Sequence, residues 1–222
     1  MSRESSGPAA EPPQAPDRFA LLLGHARPGA LESEAIDALS VYLSELDAWR
    51  RRINLTGRLS PEDLVAHALE ALPGAAWIAG GERVVDIGSG AGFPAIPLAI
   101  LRPEASFTLV EPVAKKAAFL RHAARSIPLP NITVHAARIE EVGGQTFDVA
   151  TTRAVGSLGP LIGRAPFLRP GGRLLAWTTT AGDLAQELPA MRLRTTLPIP
   201  GARTKAIAVF EKSGRSVRRP AE

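Results

Sequence analysis

A glycine-rich segment directly after a short, largely apolar run constrains the fold of this chain most strongly. The run Arg83–Ile87 has the composition of a buried parallel strand, and Gly88, Gly90 and Gly92 follow it at intervals of two residues. Glycines let the backbone turn tightly and approach a ligand closely, and in open parallel sheets ligands bind beyond the carboxyl ends of the strands. The segment therefore predicts a ligand site at the end of the first strand of an α/β sheet.

Four further apolar runs alternate with helical segments and predict the rest of this sheet. The runs are 107–111, 132–135, 147–151 and 173–177, and the clearest helical segment between them is 114–126. Alternation of this kind indicates a doubly wound, mostly parallel sheet. A final strand is expected at 206–211, after a loop with Pro198 and Pro200, and a hairpin there would give the sheet an antiparallel edge.

The residues before the first strand predict a helical cap. Leu31–Ile53 carries apolar residues at steps of three and four. Ser60, Pro61 and Asp63 form a typical helix start, with a cap, a proline at the first position and an acid in the first turn. We therefore expect four parts: a disordered tail over 1–17, the N-terminal helical cap over 18–80, a Rossmann-like core over 81–211 and a basic C-terminal tail over 212–222.

The spacing of the glycines narrows the class of ligand. A dinucleotide-binding loop would need a third glycine where Phe93 stands, and no phosphate-binding lysine follows as it would in a P-loop. Instead one acid, Asp86, precedes Gly88 by two residues, and a second acid, Glu111, ends the next strand, where it can accept hydrogen bonds from ribose hydroxyls. Acid-x-Gly-x-Gly-x-Gly after a first strand resembles motif I of S-adenosylmethionine-dependent methyltransferases and predicts that cofactor.

The composition removes several other chemistries. The chain has no cysteine, which excludes disulfides, cysteine-ligated zinc, iron–sulfur clusters and thiolate nucleophiles. Its four histidines show no close ligand spacing, so we expect no metal site. The longest uncharged apolar run is far too short to span a membrane, and we expect a cytoplasmic protein without membrane contact. The net charge of +4 is compatible with a nucleic-acid partner but does not require one.

Several segments outside the glycine loop match one family. With the loop itself, they are 86–94, 97–100, 102–103, 115–116, 119–121, 131–132, 137–141 and 152–158, together with 49–50, 54–56 and His67 in the helical cap. Over about residues 30–211 the chain resembles the methyltransferase G family of small-subunit ribosomal RNA, also called glucose-inhibited division protein B.

This resemblance implies a class I methyltransferase fold, in which a Rossmann-like, mostly parallel seven-stranded sheet with an antiparallel edge carries an N-terminal helical cap. It also implies methyl transfer from S-adenosylmethionine to guanine N7 in 16S ribosomal RNA, with the small ribosomal subunit as partner. Together with the loop and the strand-end acid, the expected cofactor-binding residues are Gly88, Gly90, Phe93, Glu111, Ile139, Glu140 and Arg153. The candidate substrate residues are Arg52, His67 and Lys115.

The chemistry of guanine N7 decides which catalytic groups to expect. N7 has a free lone pair and no proton, so the transfer needs positioning rather than a general base. The sequence offers no Ser/His/Asp arrangement, no thiolate for attack on cytosine C5 and no Asn-Pro-Pro-Tyr type motif for exocyclic amines. We therefore assign no catalytic residue, and we expect a monomer.

Two features leave the substrate open. Family members commonly carry a Lys-Gly pair after the fifth strand, where this chain has Thr178-Thr179-Thr180, and the acid of the helix that holds His67 is here Glu70. A basic rim at the cofactor mouth would consist of Arg50, Arg51, Arg52, Arg58, Lys115 and Lys116.

Two alternative functions remain open. One is a methyltransferase that acts on transfer RNA or on a small molecule, and the other is a ribosome-assembly factor that binds the cofactor without catalysis.

Overall fold

The computed structural model of the protein describes residues 17–26, 31–127, 129–153 and 166–213. Of the tail predicted to be disordered, residues 1–17, only Asp17 is described. Of the predicted basic tail, residues 212–222, only residues 212 and 213 are described. Residues 154–158, which contribute to the family resemblance, also lie outside them. No helix in the described ranges is long and apolar enough to cross a membrane.

Seven strands form a single sheet at the centre of the described chain. They are β1 Arg83–Ile87, β2 Ser106–Val110, β3 Ile132–His135, β4 Phe147–Arg153, β5 Leu168–Thr178, β6 Met191–Pro198 and β7 Ala206–Lys212. Their order is β3-β2-β1-β4-β5-β7-β6. β1 to β5 pair in parallel, and β7 pairs antiparallel with both β5 and β6. The predicted doubly wound sheet is confirmed, and the predicted hairpin is β6–β7.

Seven helices accompany the strands within the described residues. They are α1 Arg18–Ala26, α2 Ser33–Trp49, α3 Pro61–Leu69, α4 Leu72–Ala75, α5 Ala95–Leu101, α6 Ala114–Ser126 and α7 Ala181–Glu187, with a 3₁₀ turn at Ile139–Glu141. α6 has the limits that its sequence pattern predicts. α1, α4, α5 and α7 have no bounds in the sequence predictions, and β6 was expected only as the partner strand of the final hairpin.

The predicted start of α3 is present as a capping box. The Ser60 hydroxyl accepts a hydrogen bond from the Asp63 backbone N–H, and the Asp63 carboxylate accepts one from the Ser60 N–H. α2 ends at Trp49, four residues before the apolar pattern ends at Ile53. The pattern outlasts the helix because Ile53 and Leu55 still pack against the core from an irregular turn.

The core consists of two apolar clusters, one on each face of the sheet. Alternate residues of a strand point to opposite faces, so Val84 belongs to the cluster that includes the cap helices and Val85 to the other cluster. The first cluster joins Leu43 and Leu64 of the cap to Val209 of β7. The helical cap therefore packs directly on one face of the sheet, where it reaches the carboxyl ends of the strands.

Candidate cofactor and substrate site

The glycine loop after β1 adopts backbone conformations that favour glycine. Gly88, Gly90 and Gly92 have φ angles of 72°, 56° and 98°, in the left-handed region that costs other residues about 1–2 kcal/mol. A Cβ atom on Gly92 would lie 2.6 Å from Cδ1 of Ile96, closer than real contacts allow. The N–H groups of Gly88 and Ser89 donate to the Val110 carbonyl at 2.9 and 3.1 Å, which ties the loop to the end of β2.

Tyr42 of α2 braces the same loop from the cap side. Its hydroxyl donates a hydrogen bond of 2.7 Å to the Ala91 carbonyl, and its ring packs edge-on against Phe93 with ring centroids 5.4 Å apart. Tyr42 is fully buried, and this burial raises the pKa of its hydroxyl well above the usual value, so that it remains a donor. The cap therefore fixes the position of the loop.

Glu111, the first residue after β2, is oriented by two backbone donors. Its Oε2 accepts from the Gly90 N–H and its Oε1 from the Val113 N–H, each at 2.8 Å. The residue is buried, but an ionised carboxylate offers about four acceptor positions. Both oxygens therefore keep capacity for further donors such as hydroxyl groups.

Asp86 is a buried acid at the base of the loop. Its Oδ1 accepts a hydrogen bond of 2.6 Å from the Thr151 hydroxyl, whereas Oδ2 is buried without a hydrogen-bond partner among the described residues. Burial raises the pKa of Asp86 to about 7, and the charge of Glu111 adds to this effect. Near neutral pH the carboxyl group can therefore either hold a proton or face a cation.

Phe93 connects the loop to a group of charged side chains. The guanidinium carbon of Arg153, the last residue of β4, lies 5.7 Å from the centre of the Phe93 ring, and the His67 ring lies 5.9 Å from it. Nη2 of Arg153 lies 2.5 Å from Nδ1 of His67. Three residues that the resemblance implies, Phe93, His67 and Arg153, are thus brought together although they come from three different elements.

Glu70, directly after α3, holds this group together. Its Oε2 lies 3.1 Å from Nη1 of Arg153 and 3.2 Å from Nδ1 of His67, and its Oε1 accepts a hydrogen bond of 2.9 Å from Lys205. Burial opposes ionisation of Glu70, but the hydrogen bonds from His67 and Lys205 and the charge of Arg153 lower its pKa to about 2. Nη1 of Arg153 has no partner with hydrogen-bond geometry among the described residues. One ionised carboxylate is therefore shared by several cationic or donor groups.

The remaining candidate residues lie elsewhere along the site or on the surface. Ile139 is buried in the same apolar cluster as Val110 of β2, whereas Glu140 is exposed, and both line a cavity of about 190 Å³. Lys115 is exposed in the first turn of α6, close in sequence to Glu111, and Arg52 is exposed in the turn after α2. The roles predicted for these four residues remain predictions.

The predicted basic rim needs one correction. The Arg50 side chain is only 16% exposed, because its guanidinium group donates to Asp47 at 2.6 and 2.8 Å and to the Leu59 carbonyl at 2.5 Å. Arg50 is therefore a structural residue of the cap rather than a rim cation. Arg51 is exposed, and with Arg18, Arg58 and the bound Arg50 it lines a depression of about 490 Å³ on the cap.

Neither Tyr42 nor Lys205 is predicted from the sequence as a site residue. Tyr42 stands three residues after Leu39 on the apolar stripe of α2. A hydroxyl group on a face that is expected to be buried is the one sequence feature that could have indicated its role. Lys205 directly precedes the last strand in a loop without a recognisable pattern. Only the folded chain brings it next to Glu70.

The fold defines a class of protein before any relative is considered. A class I methyltransferase has this order of strands, with one antiparallel strand, and it has the same glycine loop and the same acid after β2. A ribosomal protein L11 methylase from Lactobacillus delbrueckii subsp. bulgaricus has a similar structure, with a TM-score of 0.56 and 16% identity over 65% of this chain and 77% of that one. A variant of the protein MtNAS in complex with S-adenosylmethionine has a TM-score of 0.59 and 16% identity, over 81% of this chain and 75% of that one. These similarities define the fold alone.

The sequence places the chain in one family within that class. Residues 35–192 match the GidB family, described as rRNA small subunit methyltransferase G. A relative from Roseiflexus sp. (strain RS-1), named ribosomal RNA small subunit methyltransferase G, is 42% identical over 181 residues, which are 78% of this chain and 76% of the relative. The chain belongs to the GidB family.

Proposed function

We propose that the protein is an S-adenosylmethionine-dependent methyltransferase that methylates N7 of a guanine in the RNA of the small ribosomal subunit. The observation that carries this proposal is the glycine loop itself, whose Gly90 N–H is held by Glu111 at the carboxyl ends of β1 and β2. Membership of the GidB family supports RNA as the substrate, since the Roseiflexus relative is named for small-subunit ribosomal RNA.

The residues at this end of the sheet fit the chemistry of S-adenosylmethionine. A buried acceptor, Asp86 Oδ2, and a buried donor, Arg153 Nη1, both lack partners with hydrogen-bond geometry among the described residues, although Nη1 lies 3.1 Å from Oε2 of Glu70. The methionine part of the cofactor carries an ammonium group, which pairs with a carboxylate, and a carboxylate group, which pairs with a cation. Asp86 would bind the ammonium group, and Arg153 would bind the carboxylate. Glu111 would accept the ribose hydroxyls, and Ile139 with Glu140 would flank the adenine.

In the proposed mechanism these residues position the reactants and do not exchange protons with them. S-adenosylmethionine supplies an electrophilic methyl group when it is bound. The glycine loop, fixed by Tyr42, would hold the methyl donor, and Phe93 would separate the loop from the nucleotide side. Because N7 attacks through its lone pair, no side chain has to remove a proton, and in-line approach to about 3 Å is the main requirement. Arg153 would face either the methionine carboxylate or the incoming nucleotide.

The experiment that tests this function is a transfer assay with tritiated S-adenosylmethionine. Purified protein is incubated with small ribosomal subunits from cells that lack this gene, and separately with transfer RNA from the same cells. We expect label in the 16S RNA and none in the transfer RNA. Label in transfer RNA would identify a different methyltransferase, and cofactor binding without transfer to either RNA would favour a non-catalytic assembly factor.

A further inference from the structure

The end of β5 carries no charge on the substrate side of the site. The residues there are Thr178, Thr179 and Thr180. None of these threonines carries a charge. A phosphate of the RNA that passed this point would therefore need a cation from another element.

The topology brings one lysine to this place. In the antiparallel pairing of β5 with β7, Thr178 lies opposite Ala206, so Lys205 comes next to the end of β5. Lys205, Thr178 and Thr179 line the same cavity of about 290 Å³. The lining residues also include Arg153 and Glu70, which places the cavity beside a residue that we propose to bind the cofactor or the nucleotide.

Lys205 is held in place but not covered. Its Nζ donates to Oε1 of Glu70 at 2.9 Å, and Glu70 in turn lies against Arg153. The Lys205 side chain is 44% exposed, whereas the Glu70 side chain is 11% exposed. An ammonium group has three donors, so the Glu70 contact leaves donors for a ligand in the cavity.

The charges of this cavity favour an anion. Among the described residues that line it, Arg153 and Lys205 are cationic and Glu70 is anionic, which leaves one net positive charge. Nη1 of Arg153 is also buried without a hydrogen-bond partner in the described part of the chain.

We propose that Lys205 is the substrate-side cation of this protein and binds a backbone phosphate of the RNA next to the target guanine. A lysine acts as a compact point charge that suits phosphate, and phosphate contacts fix the register of a bound nucleic acid. This inference rests on the proposed function, because it assumes an RNA substrate at the mouth of the cofactor site.

The test compares Lys205→Ala with two other variants. Arg203→Ala removes a cation of the same loop that does not line this cavity, although Arg203 and Lys205 both line a neighbouring depression of about 650 Å³. The double variant Lys205→Ala, Thr179→Lys returns a lysine to the end of β5. Each protein is assayed for methyl transfer to small subunits from cells lacking this gene, for S-adenosylmethionine affinity, and for the salt dependence of subunit binding.

We expect Lys205→Ala to lower kcat/KM for the subunit about tenfold and to reduce the salt slope of binding by about one. S-adenosylmethionine affinity should stay within about twofold of the original protein, Arg203→Ala should change little, and Thr179→Lys should restore most of the loss. Equal losses in Lys205→Ala and Arg203→Ala, an unchanged salt slope, or a parallel loss of cofactor affinity would overturn the inference. If the unaltered protein transfers no methyl group, the proposed function fails, and the salt slope still decides whether Lys205 contacts RNA.

Discussion

The two halves of the site are built in different ways. On the cofactor side, backbone groups dominate: loop N–H groups bind Glu111 and the Val110 carbonyl, and the glycine φ angles shape the loop. On the substrate side, side chains from α3, β4 and the loop before β7 meet around Glu70. The first half is therefore contiguous in sequence, whereas the second half depends on the complete sheet and cap.

The largest effect is expected from a substitution in the backbone-built half. Gly92→Ala would combine a positive φ with a Cβ contact of 2.6 Å to Ile96, so we expect about 3 kcal/mol less stability and loss of S-adenosylmethionine binding. Gly81→Ala is the matched control, because Gly81 also has a positive φ but open space around it. It should cost about 1 kcal/mol and leave binding intact. Calorimetry and urea unfolding measure both, and equal losses of binding would contradict the steric explanation.

A pH-dependent stability effect is expected from Asp86. Its folded pKa of about 7 lies above the unfolded value, so the folded state keeps a proton that the unfolded state loses, and stability falls as the pH rises from about 4 to 7. Asp86→Asn removes this fall. Without cofactor, the variant should gain about 2–3 kcal/mol over the original protein between pH 5 and pH 8.

Urea unfolding at several pH values checks this expectation. The difference between the two proteins should increase up to about pH 7 and then level off. A difference that does not depend on pH would mean that Asp86 is ionised in the folded protein throughout this range.

A smaller effect is expected from Glu70→Gln on the side-chain-built half. The pKa of Glu70 is lowered to about 2, so its contribution to stability is complete above about pH 4.5 and disappears as the pH falls toward 2. We expect a loss of about 1–3 kcal/mol at pH 7, because Arg153 loses its counter-charge. The loss should shrink at pH 3.

Glu62→Gln is the control for this substitution. Glu62 also belongs to α3, but its ion pair with Arg18 is long, at 3.8 Å, and exposed. Hydrogen bonds at the start of the helix lower the pKa of Glu62, so Glu62→Gln should lower stability only slightly and less than Glu70→Gln does. S-adenosylmethionine affinity of Glu70→Gln should stay within about threefold of the original, whereas transfer to RNA should fall further. A large loss of cofactor affinity would show that the two halves are not separable.

The smallest effect is expected from Tyr42→Phe, which tests how the cap supports the cofactor side. The change removes one hydrogen bond, to the Ala91 carbonyl, and keeps the ring packing on Phe93. We expect about 1 kcal/mol lower stability and about threefold to fivefold weaker S-adenosylmethionine binding. Unchanged binding would mean that the loop keeps its shape without the cap.

The same contrast explains what the sequence could predict. The glycine loop, the strand-end acid and α6 were predictable because each depends on neighbouring residues and on a fixed spacing. Lys205 was not, because it meets Glu70 only after β7 inserts between β5 and β6. Arg50 was placed wrongly in the rim because sequence alone does not reveal that Asp47 and the Leu59 carbonyl hold it.

The most direct measurement identifies the atom that receives the methyl group. Small ribosomal subunits from cells lacking this gene are treated with the protein and S-adenosylmethionine, and the 16S RNA is digested to nucleosides for mass spectrometry. We expect one new 7-methylguanosine per subunit, absent with Gly92→Ala and present with Gly81→Ala. A methyl group on an exocyclic amine, a ribose or a carbon atom would contradict N7 transfer by positioning alone, and an unmodified RNA would contradict the proposed activity.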